Sequence, residues 1–149
     1  MSIPKVVVDT DVFVDFLTSR SARTGSVKQP LFRRLLADVF CYTTVFNAAE
    51  LFSLMRTKRE ERMAEEALGA VKLLGVNART AKQLGAVLRS RMGRKSDVLV
   101  ALIGALCREA RVPLITGRPH RYRGISGLRL ISTRTLERKG AVLSARDIG

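Results

Sequence analysis

Short apolar runs of strand length alternate along this chain with longer stretches that carry apolar residues at helical spacing, and few folds accept that order. Lys5–Val8 is a Val-rich run introduced by Pro4 and closed by Asp9. An unbroken apolar run of that length reads as a strand buried on both faces. Phe40–Thr43, Val112–Thr116 and Leu128–Ser132 read as further strands. Between them, Val12–Leu17, Leu31–Val39, Val45–Met55, Lys58–Leu74, Thr80–Met92 and Asp97–Ala110 show helical stripes, with Ser96 as N-cap of the last and Ser19–Gln29 as a loop. The stripe of Lys58–Leu74 is Met63, Ala67, Val71 and Leu74, and that of Thr80–Met92 is Ala81, Leu84, Gly85 and Leu88. This order predicts an α/β fold, a parallel sheet flanked by helices. The tail from Thr133 has weak periodicity, and its structure stays open.

Polar residues gather where the strands end. Asp9, Thr10 and Asp11 follow the first strand, Thr43 and Thr44 the second, and Thr116 closes the third. In open α/β sheets, sites form at the carboxyl ends of the strands, so these residues should share one rim. Glu50 lies in the apolar run Phe46–Phe52, and Asp97 opens the most apolar helix. A buried carboxylate is costly unless it is paired or bound to a metal. Pairing with an arginine, or for Asp97 a helix N-terminus, would explain each acid alone; Asp15 and Asp38 read as surface acids. Together the rim acids repel and raise one another's pKa, a conflict that Mg²⁺, or Mn²⁺, would relieve while activating water for attack on a phosphate. Without a metal that repulsion should weaken the fold, so Asp9→Asn is expected to raise the melting temperature in chelator.

Charge points the same way. Lys and Arg number 27 against 13 acids, a formal +14, which favours a polyanionic partner, nucleic acid before membrane. The basic residues cluster at Arg89, Arg91, Arg94 and Lys95 just before Asp97, and at Arg118, Arg121 and Arg123 around Tyr122. Tyr122 could stack on a base or cap the core, and His120 reads as a surface or substrate-contact residue. The longest apolar run, Val98 to Cys107, is too short for a bilayer, which needs ~20 residues. No signal-peptide pattern opens the chain. Cys41 and Cys107 read as reduced core residues, an expectation of a cytoplasmic protein without a membrane role.

The motifs VVVDTDVFVDFL, TTVFNAAELF, SDVLVALIGALCREARVPLIT and HRYRGISGLRLIS resemble, in order and spacing, those of the PIN-domain family. Within it they look like the VapC-like toxin halves of toxin–antitoxin pairs. The resemblance makes residues 1–132 a PIN-like domain and 133–149 an extension. It implies a three-layer α/β/α sandwich on a parallel sheet of about five strands. It also implies an Mg²⁺-dependent endoribonuclease with Asp9, Glu50 and Asp97 as catalytic and metal-holding acids, and Asp11 beside them. Thr10 and Thr116 match hydroxyl positions next to the site. With Arg118, Arg91, Arg94 and Lys95 they are the expected contacts to RNA. A homodimer and a small antitoxin are the implied partners. Arg118 stands where the family often has a fourth acid, which leaves open a catalytically silent RNA-binding protein. Phe32, Leu35, Leu36, Leu51 and Leu54 either bury against the sheet or form an exposed patch for an amphipathic partner.

Overall fold

Asp9 ends the central strand of a five-stranded parallel sheet. The computed structural model describes residues 3–21, 29–90 and 97–139. Its elements run β1 (Lys5–Val8), α1 (Thr10–Ser21), α2 (Leu31–Asp38), β2 (Phe40–Thr43), α3 (Val45–Leu54), α4 (Lys58–Gly69) and β3 (Lys72–Leu73). They continue with α5 (Ala78–Ser90), α6 (Val98–Ala110), β4 (Leu114–Thr116), a 3-10 turn at Pro119–Tyr122, β5 (Leu130–Ser132) and α7 (Thr133–Lys139). The strand order is β3-β2-β1-β4-β5, and every pairing is parallel. The chain winds outward from β1 in both directions, so the carboxyl ends of β1 and β4 flank the point where the winding reverses.

Both faces of the sheet are covered, which gives the three layers. Val6 and Val8 join Phe13, Phe16, Phe32, Leu35, Leu51 and Leu136 in one core; Val7 joins Val100, Ile103, Cys107, Leu114 and Tyr122 in the other. Period-two alternation along β1 splits one Val run between two cores. Phe32 meets the rings of Phe13 and Phe16 at 4.9 and 5.0 Å between centroids. That packing decides the apolar patch: Phe32, Leu35 and Leu51 are buried, Leu36 is partly covered, and only Leu54, at 52%, is open to solvent. Both free cysteines are buried, one in each core.

The structure departs from the sequence pattern at Lys58–Leu74. The helix ends at Gly69, and Lys72–Leu73 becomes the edge strand, paired with Tyr42 and Thr43. The Leu74 N–H completes the join by donating to the Thr43 carbonyl at 2.9 Å. The α5 stripe is also only half covered, with Leu88 exposed and Thr80 the one buried residue of that helix. Asp97, rather than Ser96, caps α6, accepting from the N–H groups of Leu99 and Val100 at 3.0 and 3.4 Å. Ser96 itself lies outside the described residues. The tail left open begins with α7, whose Leu136 is buried in the first core. No helix among the described residues is long and apolar enough to cross a membrane.

Candidate active site

Four donors converge on Asp9, which is 4% exposed. Its Oδ1 accepts from the Thr10 N–H at 2.9 Å, from Asn47 Nδ2 at 2.8 Å and from the Tyr122 hydroxyl at 3.0 Å. Its Oδ2 accepts from the Thr116 hydroxyl at 2.7 Å. These donors come from α1, α3, the 3-10 turn and β4, so the carboxylate ties four segments together. The sequence reading placed Thr10 and Thr116 beside this acid but named neither Asn47 nor Tyr122 as a partner. Asn47 is the third helical residue of α3 and bonds the Thr44 cap in both directions. The same amide then reaches Asp9 and, at 3.0 Å, the Thr10 hydroxyl. Tyr122 is 1% exposed, which rules out stacking on a base. Burial first, and the charge of Asp9 second, push its phenol well above the ordinary range, so it stays a donor.

Asp97 stands at the N-terminus of α6 with one oxygen on each of two tasks. Its Oδ1 caps the helix, and its Oδ2 takes a hydrogen-bonded ion pair from Arg121 on the 3-10 turn. Burial works to raise the carboxyl; the Arg121 bond, the Val100 and Leu99 N–H groups and the Arg121 charge outweigh it and hold it below its ordinary value. Glu50 is half-buried on α3. Among the described residues its carboxylate makes no ion pair, yet its charge, with that of Asp97, acts on the Arg121 guanidinium. Arg121 was read from sequence only as part of a basic patch; nothing in its local sequence announces a carboxylate that precedes it by 24 positions.

Asp11 carries the cost of the crowding. Its Oδ2 accepts from the Gly117 N–H at 2.8 Å, while its Oδ1 is buried with no partner among the described residues. The approach requires glycine, since a Cβ at Gly117 would meet Asp11 Oδ2 at 2.6 Å. Burial, then the charge of Asp9, push the carboxyl from 3.8 up to about 6, against the Gly117 bond and Arg118. Arg118 is exposed and pulls on Asp11 and Asp15 through space without an ion pair among the described residues. Its N–H donates to Thr116 Oγ1 at 3.0 Å. His120 is exposed. Arg91, Arg94 and Lys95 lie outside the described residues.

A raised folded-state pKa means that folding penalises the charged form. The Asp11 contribution to stability is therefore intact below 3.8 and lost as pH rises through about 6. Because the group is partly open to solvent, the loss is put at about 1–2 kcal/mol. Asp11→Asn should melt with wild type near pH 4 and about 3–6 °C above it near pH 7.5, both in chelator. Equal melts at the higher pH would mean that Asp11 bears no such cost.

Among the described residues no three Asp, Glu, His or Cys side chains form a ready metal site as they stand. The donor chemistry still fits a hard divalent ion, since the acids offer only oxygen. One cation, the Arg121 guanidinium, already stands in the field of Asp97 and Glu50.

No protein-family model matches the chain, and no curated protein does. Solved structures do. A chain of VapBC2 from Rickettsia felis, bound to a DNA fragment from its promoter, superposes with a TM-score of 0.66 over 86% of this chain and 98% of its own, at 16% identity. One from DNA-bound VapBC of Salmonella typhimurium gives 0.65 over 87% and 98%, at 14% identity. VapBC-5 from Mycobacterium tuberculosis, of the VapBC family of toxin–antitoxin systems, gives 0.53 over 87% and 98%, at 20% identity. At such identities the likeness is one of fold: this chain has the fold of the matched chains of these VapBC structures.

Proposed function

We propose that this chain is an Mg²⁺- or Mn²⁺-dependent endoribonuclease and the toxin of a toxin–antitoxin pair. The observation that carries the reading is the acid rim at the reversal of the sheet: Asp9 at the end of β1, Asp97 at the head of α6 and Glu50 on α3, on a chain of charge +14. Asp9, Glu50 and Asp97 would hold the metal, with Asp11 at its edge. When bound, the metal supplies Lewis acidity toward a phosphate oxygen and a more acidic water. The chain's own residues do the rest. Thr10, Asn47, Thr116 and Tyr122 fix the Asp9 carboxylate, so that it does not turn when substrate arrives. The cap of α6 fixes Asp97 in the same way. Arg118, exposed beside Thr116, and the basic residues Arg91, Arg94 and Lys95 suit the phosphate backbone of RNA.

The partners follow from the same reading: RNA as substrate, a small antitoxin as inhibitor, and a second copy of the chain as a homodimer in the cytoplasm. A catalytically silent RNA-binding protein is the rival, favoured by Arg118 in the place of a fourth acid. Incubating the purified chain with structured RNA in Mg²⁺, in Mn²⁺ and in EDTA separates them. The nuclease cuts internally in either metal and stops in EDTA. Binding without cleavage in every buffer would establish the rival instead.

A further inference from the structure

We infer that Arg121 is the resident cation of the acid rim, held on Asp97 within reach of the Glu50 charge, and that it must swing away before a divalent ion can bind. The inference rests on the metal-site reading above and adds a competitor from within the chain.

The competition is for a single atom. Asp97 Oδ1 is committed to the N–H groups of Leu99 and Val100, which leaves Oδ2 as the oxygen open to a ligand, and Arg121 Nη2 is on it. Among the described residues the ion pairs are Lys58–Glu61, within one helix turn, and Arg121–Asp97, which alone joins separate elements. The backbone holds the guanidinium at hand. The Arg121 N–H donates to the Arg118 carbonyl at 3.0 Å, and the next residue, Tyr122, is buried with its hydroxyl on Asp9. One turn therefore delivers a neutral donor to Asp9 and a cation to Asp97.

The hold is also reversible. The two side chains are 28% and 47% exposed, and a pair so open to water is weak and screened by salt. A divalent ion brings twice the charge to the same oxygens. The displaced guanidinium stays tethered beside them, where its planar fork suits a phosphate.

The test is a titration of the full chain with Mn²⁺ alone, without RNA, followed by electron paramagnetic resonance and by calorimetry. Arg121→Ala and Arg121→Gln should each bind Mn²⁺ more tightly than wild type, on the order of tenfold, and Arg121→Lys should stay near wild type because it keeps the charge. Two neutral variants guard against one that folds poorly, and thermal melts identify it. Equal Mn²⁺ affinity in wild type and both neutral variants would overturn the inference and leave the nuclease reading standing. No Mn²⁺ binding by any of the four proteins would overturn both.

Discussion

Asp9→Asn melts below wild type in metal-free buffer, by about 6 °C, and Asp9→Ala by more than about 10 °C. The reason is the count of donors aimed at this one carboxylate: a backbone N–H, an amide, a phenol and a threonine hydroxyl. An amide at position 9 turns bonds to a charged acceptor into neutral ones, at a cost of about 2 kcal/mol over the set. Alanine leaves the Thr116 and Tyr122 hydroxyls and one N–H of the Asn47 amide buried and unpaired, and each costs about 1–3 kcal/mol. This reverses the expectation from sequence, in which repulsion among the rim acids made Asp9→Asn stabilising. The repulsion exists, but it falls on Asp11, whose Oδ1 has no partner among the described residues. Thermal melts in EDTA decide between the two; Asp9→Asn at or above wild type would mean that the four donors are worth less than the repulsion.

Asp97→Asn should keep the fold and, on the proposed reading, lose the chemistry. Asparagine is as good an N-cap as aspartate, so the bonds to Leu99 and Val100 survive. The lost Arg121 pair, half-exposed, is worth about 1 kcal/mol or less. RNA cleavage in Mg²⁺ should nevertheless fall by more than about a hundredfold, since even groups that stand behind metal ligands are worth about 10–100-fold. Glu50→Gln should do the same, and the double variant should be little worse than either, because on the proposed reading both acids would serve one ion. Cleavage assays and melts on the same preparations separate loss of chemistry from loss of fold. Full activity in Asp97→Asn with metal present would remove Asp97 from the site.

What the sequence showed, and what it hid, follows from the range of the interactions. The Val run before Asp9 and the stripes of α1, α2, α3 and α6 are local patterns, and each marked its element to within a few residues. The meeting of Asp9 and Thr116 was legible because strand ends of a parallel sheet meet at one edge whatever their spacing. β3 was not, because Val71 and Leu74 continue the α4 stripe by period while the edge of β2 draws Lys72 and Leu73, between them, into the sheet. Tertiary pairing overrode a local pattern that was consistent with itself. The partners of Asp9 were hidden for a similar reason: Asn47 lies 38 positions away and Tyr122 lies 113. No local signal encodes a hydrogen bond across that span. The burial of Phe32 and Leu35 was undecidable until α2 was seen packed on the rings of α1.

The central place of β1 also sets an order in time. Asp9 leaves the ribosome early, but Thr116 and Tyr122 follow it by 107 and 113 residues. At ~5–20 residues per second, that is a delay of about 5–20 s. Through that interval β1 can pair with β2, but its other edge waits for β4. The carboxylate has its amide donor from α3 and lacks the hydroxyls that complete its cage. A nascent chain therefore carries Asp9 long before it holds it in place, and the set of donors around that carboxylate is complete only when residue 122 has docked.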